Sequence, residues 1–171
     1  TGLLAAMAIG SASACTCMLE HIAIEPIAPD RNDVYVGASE LIEVQFSNFK
    51  TDGPVEAFPE PPLIVHDRRS KTSCSIDGGV WSRKSVFISH DGSVLVTHEF
   101  SGSNDALNFY DTKTCSRRRS LDVSNATWVI DGATIQITRT STAGKHGGMS
   151  VVRLDERCLP EKIIKTVPRK K

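Results

Sequence analysis

The chain lacks the features by which most enzymes and nucleic-acid binders announce themselves. Lys plus Arg equals Asp plus Glu at 20 each, so no net charge draws it toward nucleic acid or an anionic membrane. It has no Cys-x-x-Cys, no His-x-x-x-His and no His-Glu-x-x-His, which leaves no metal expected, and no Gly-x-Ser-x-Gly elbow. No cofactor and no catalytic residue is expected. Past the first residues, no window of eleven or more shows a helical apolar stripe. The one long apolar stretch, at the N-terminus, runs for roughly 13 residues, against the ~20 that a membrane-spanning helix needs. Tryptophan occurs twice, Trp81 and Trp128, and each lies in an apolar strand where a core role is expected.

That apolar stretch reads as the tail of a secretory signal. Thr1 to Gly10 is uncharged and rich in small residues, and Ser11-Ala12-Ser13-Ala14 supplies the small side chains that signal peptidase accepts. Residues 1–14 are therefore expected to be a signal remnant whose basic start lies upstream, with cleavage before Cys15. The site resembles a bacterial lipobox, but Ala12 stands where lipoproteins usually carry Leu. Cys15 is thus the lipidation candidate, and the only expected means of membrane attachment. The rest divides into an N-terminal segment 15–40, a β domain 41–168 and a basic tail 169–171. Removing 14 of 171 residues leaves 157, one domain with room for a core.

Export suits the cysteines. With Cys15 set aside, Cys17, Cys74, Cys115 and Cys158 remain as disulfide candidates for an oxidising compartment. Four cysteines allow three pairings, and spacing does not choose among them.

Strand signals dominate the chain beyond the signal. Ile42, Val44 and Phe46 alternate with polar residues, as do Ile135 and Ile137, and Val94 and Val96 alternate with Leu95 and Thr97. A period of two marks half-buried strands. Asp91-Gly92 and Asp131-Gly132 are hairpin pairs, and Phe58-Pro59-Glu60-Pro61-Pro62 reads as extended chain barred from an inner strand. The fold class expected is all-β, an antiparallel meander packed as a sandwich or open barrel.

A longer pattern overlies these signals. A short strand, then Asp, a polar turn and Cys recurs at Leu63–Asp67 with Cys74, Leu107–Asp111 with Cys115, and Val151–Asp155 with Cys158; the three Asp lie 44 apart. The second copy, running from Phe87 through Asp91-Gly92 to Asp111-Thr112-Lys113-Thr114, resembles one blade of a β-propeller. The resemblance implies a four-stranded unit repeated about every 40 residues. A closed propeller needs about four blades or more, which this length does not supply.

Candidate chemistry is sparse. The acids fall in turns (Asp52, Asp91, Asp111, Asp131, Asp155), where turn geometry accounts for them. His90 and His98 are expected to fill surface or strand positions. The basic groups Arg68-Arg69 and Arg117-Arg118-Arg119 occupy related turns and offer a positive edge to an acidic protein surface. With the loops around them, Arg68, Arg69, Ser103, Asn104, Asp105, Arg117, Lys145 and His146 are the partner-binding candidates. The expectation is an exported, non-enzymatic binding protein, periplasmic or anchored to the envelope, of the inhibitor or immunity type. Its partner would be a protein, a toxin or envelope enzyme that it blocks by contact. The alternatives are an envelope hydrolase with dispersed acids and a structural envelope lipoprotein.

Overall fold

Alternation builds the first sheet. In the computed structural model, which describes residues 17–49, 55–140, 147–161 and 165–168, strand β4 (Ile42–Ser47) buries Ile42, Val44 and Phe46 and leaves Glu43, Gln45 and Ser47 half-exposed. It lies between β3 (Arg31–Ala38) and β6 (Glu60–Asp67), with β2 (Glu25–Ala28) and β7 (Thr72–Ile76) at the edges. All pairs in this sheet are antiparallel.

The second sheet is the expected four-strand unit: β8 (Val80–Ser89), β9 (Val94–Ser101), β10 (Asn104–Asp111) and β11 (Arg117–Asp122) form a meander. Two short strands flank β8 on its other side, β1 (Leu19–His21) and β5 (Ala57–Phe58). Ile88 pairs with Leu95, the register that a hairpin centred on Asp91-Gly92 sets. Gly92, at φ 71, donates its N–H to the Ser89 carbonyl at 2.7 Å and closes the turn. The third sheet is another meander, β12 (Ala126–Asp131), β13 (Thr134–Arg139), β14 (Gly148–Arg153) and β15 (Lys165–Pro168). No described residue is helical, and the all-β antiparallel expectation holds.

The second sheet is the middle one. Trp81, Val86, Ile88, Leu95 and Tyr110, together with Phe58 of β5, pack with Tyr35, Phe46 and Val65 of the first sheet. From the other face, Val94, Val96, Leu107 and Phe109 pack with Ile135, Ile137 and Val152 of the third sheet. This corrects the half-buried reading of β9. Val94 through Thr97 are all buried, because both faces of that strand meet a core. Each disulfide ties the middle sheet to one outer sheet. Cys74–Cys115 joins β7 to the turn after β10, and Cys17–Cys158 joins the approach to β1 to the turn after β14.

Two readings change. Pro61 and Pro62 do lie in β6, an interior strand of the order β2-β3-β4-β6-β7. They are tolerated because pairing with β7 begins only at Leu63, so the missing N–H groups face no ladder on that side. The segment before residue 41 supplies β1, β2 and β3, which pair with β8 and β4 and so belong to the sheets. Residues 1–14, Cys15, Asp52 and the tail 169–171 lie outside the described residues.

Trp81 is fully buried, with its ring 6.1 Å from that of Phe46. Trp128 is half-buried and lies edge-on to Phe87 and His98 over the second core. His98 fills strand space between Phe100 and Trp128. His90 sits at the surface with Nδ1 2.8 Å from Glu20 Oε1.

Candidate partner-binding surface

The 44-residue period is a repeated turn. Asp67 Oδ1 accepts the N–H groups of Arg69 and Ser70, at 2.8 and 3.1 Å. Asp111 Oδ1 accepts those of Lys113 and Thr114, at 3.0 and 2.9 Å. Asp155 Oδ1 accepts those of Arg157 and Leu159, both at 2.9 Å. Each turn then passes through a left-handed residue, Lys71, Cys115 or Cys158, at φ of 55 to 56. An Asp at the first position satisfies N–H groups that the reversing chain would otherwise leave unpaired.

These contacts favour the carboxylate. Ser70 N–H holds the Asp67 carboxyl below its ordinary range. Burial pushes Asp111 and Asp155 upward, but Arg118 and the turn N–H groups outweigh it for Asp111, and the Leu159 N–H and Arg157 do so for Asp155, so both stay low. Arg118 Nη2 lies 2.6 Å from Asp111 Oδ2, and Arg157 Nη2 lies 3.0 Å from Asp155 Oδ2.

Neighbouring turns share depressions. One of about 500 Å³ is lined by Arg69 and Ser70 of the first turn and Lys113 of the second. Another of about 260 Å³ is lined by Asp111 and Arg118 of the second and Arg157 and Leu159 of the third. The three turns therefore form one edge. Along it Arg69, Lys71, Lys113 and Arg117 make no ion pair with another described residue, whereas Arg68 donates to Glu43 Oε2 at 2.7 Å.

A separate cleft of about 590 Å³ runs over β9, β10 and β11 beside the β7–β8 connection. Its floor carries Glu99, whose Oε1 accepts hydrogen bonds from Thr97 Oγ1 and Tyr110 OH, both at 2.7 Å. Burial, and after it the Glu99 carboxylate, push the Tyr110 hydroxyl far above its ordinary value, so it stays a donor at neutral pH.

The partner-binding candidates divide between these features. Arg69 lines the first-turn depression, while Asn104 and Arg117 line the cleft. Arg68 is engaged with Glu43 and lines neither. Ser103 is exposed at the β9–β10 hairpin tip, and the Asp105 N–H donates to Ser124 Oγ at 2.9 Å. Lys145 and His146 lie outside the described residues. The buried polar set Thr97, Glu99 and Asn108 was not anticipated. Its signal is three polar residues on strands that are otherwise apolar, but strand periodicity alone assigns such residues to a solvent face. Among the described residues no group of His, Cys, Asp and Glu is arranged to hold a metal.

Comparison with known proteins adds what geometry does not. Residues 16–153 match the family described as "Immune protein Tsi1". "Immune protein Tsi1" of Pseudomonas aeruginosa is 42% identical over 123 residues, covering 71% of each chain. The matched span takes in the Asp67 and Asp111 turns, the strand that leads to Asp155, and three of the four paired cysteines. With this match over most of its length, the chain belongs to the Tsi1 immune-protein family.

Proposed function

We propose that this protein is an exported immunity protein that neutralises a toxin by occupying its surface, without turnover of its own. Membership in a family of immune proteins carries the reading. The scaffold agrees with it. Two disulfides pin the middle sheet to both outer sheets, and a stiff surface loses little conformational freedom when it docks. Disulfides persist in oxidising compartments, which supports action in the periplasm, where a signal ending at Ala14 would deliver it. The edge of three Asp turns, with Arg69, Lys71 and Lys113 free of ion pairs to described residues, favours an acidic face on the toxin and fast, salt-sensitive association.

The test is protection. A secreted toxin encoded beside this gene is exported to the periplasm, with or without this protein. Survival only in its presence, together with a stoichiometric complex of the purified pair, is the expected result. Undiminished killing, or turnover of a glycan or ester panel by this protein alone, overturns the reading. Fractionation and intact mass check the compartment: a periplasmic protein beginning at Cys15 is expected, and an added diacylglycerol mass would place it on the membrane.

A further inference from the structure

The depression between the first two Asp turns is lined by donors that the protein itself does not use. Arg69 and Ser70 of the first turn, Thr72 just after it and Lys113 of the second line it, and all four are exposed. Neither Arg69 nor Lys113 makes an ion pair with a described residue. Ser70 Oγ and Thr72 Oγ1 lie 2.7 Å apart, so one hydroxyl donates to the other and a second hydroxyl hydrogen is left over. The carboxylate in the lining is Asp67, which is 6% exposed and turns Oδ1 to the N–H groups of Arg69 and Ser70. Arg69 also acts on Asp67 through space, less strongly than the Ser70 N–H does. Setting Arg69 against Asp67 leaves Lys113 unbalanced, and Lys71, exposed at the end of the first turn, adds to the excess. In a chain whose charges sum to zero, such a local excess selects an anion.

The two sides of the depression are held in place. Cys115 is the left-handed residue of the second turn, and it bonds to Cys74, on β7 just past the first turn, with 5.7 Å between their Cα atoms. Thr112, next to Lys113, is buried and donates its hydroxyl to the Gly92 carbonyl at 2.6 Å. The turns therefore face each other before any ligand arrives, and binding does not have to bring them together.

We propose that this depression is an anion seat for an aspartate or glutamate side chain of the toxin, with the Arg69 guanidinium and the Lys113 ammonium closing on its carboxylate from opposite turns. A guanidinium holds both carboxylate oxygens at once, and an ammonium adds a compact point charge. The inference rests on the immunity reading for the source of the carboxylate, and it narrows an acidic face to one contact. The seat itself is tested without the toxin.

The probe is acetyl-tetraglutamate amide, titrated into the ¹⁵N-labelled protein at low ionic strength. Saturable shifts of the Arg69, Ser70, Lys113 and Thr114 amides are expected. They should fade at about 0.5 M salt, where the screening length is roughly 4 Å. Arg69→Glu and Lys113→Glu should each abolish them, and both side chains are exposed and bond to no described residue, so the fold is kept. Lys84→Glu makes the same charge change on β8, beside Glu56, and should leave the shifts in place. No shift in the wild type, or equal loss in the Lys84 variant, overturns the inference. Shifts with phosphatidylglycerol vesicles and none with the peptide would assign the seat to a membrane and overturn it as well. With the toxin, the double variant Arg69→Glu/Lys113→Glu should slow association about tenfold or more at low salt, and Lys84→Glu by much less; an unchanged rate overturns the assignment to the toxin. A wild type that binds no toxin refutes the immunity reading instead, and the peptide titration still decides the seat.

Discussion

Removing the two disulfides one at a time separates chain entropy from native packing in this fold. The pairs are nested: Cys74–Cys115, 41 residues apart, lies inside Cys17–Cys158, 141 apart. While the inner link is intact it short-circuits the outer loop, and subtracting 41 from 141 leaves an effective loop of 100 residues. Loop-closure entropy then assigns about 4.7 kcal/mol to the outer link and about 3.9 kcal/mol to the inner one at 25 °C. The test compares the double variants Cys17→Ala/Cys158→Ala and Cys74→Ala/Cys115→Ala by urea unfolding, followed by circular dichroism. The outer pair should cost more, by about 0.8 kcal/mol, and both variants should show a steeper urea dependence because the unfolded chain expands. A larger loss from the inner pair would refute the entropic argument. It would mean that the contacts around half-buried Cys74 and buried Cys115 in the first core, and not the unfolded state, set the stability.

Other outcomes concern single sites. Gly37 lies on β3 where a Cβ would come within 2.8 Å of the Ala23 carbonyl oxygen and 2.4 Å of Ile24 Cδ1; Gly37→Ala should cost about 1–3 kcal/mol in urea unfolding, as overpacking does. The turn carboxylates Asp67, Asp91, Asp111 and Asp155 have folded pKa values below the ordinary 3.8. Their stabilisation is therefore complete above about pH 4 and lost as pH falls through the lower folded values, so Asp111→Asn should flatten the acid limb of a stability–pH curve. His98 is shifted the other way for a base: burial lowers its pKa from 6.5, outweighing the nearby Asp105 and Glu99. The unfolded chain then takes up the proton first, so stability should fall as pH drops below about 6.5, and His98→Phe should remove that part of the slope in melts between pH 5 and 7.

Local physics was legible in the residues alone. Alternation of Ile42, Val44 and Phe46 demands a strand with one buried face, because side chains on a pleat point to opposite sides. Asp67, Asp111 and Asp155 demand turns, because their carboxylates satisfy N–H groups two to four residues ahead. Four cysteines suitable for pairing followed from their number, and the immunity-type reading from export together with missing catalytic motifs agrees with the family.

Long-range packing decided the rest. Cys17 finds Cys158 and Cys74 finds Cys115 only because three successive meanders stack with the second in the middle. The same stacking buries β9 on both faces and turns a run of mixed polarity into core. It also shuts Glu99 and Asn108 in a cleft, since periodicity tells which side of a strand a residue takes but not what covers that side. The sequence determined the strands, the turns and the cysteines available, while tertiary structure alone decided their pairing and which polar residues, Glu99 and Asn108 among them, were buried.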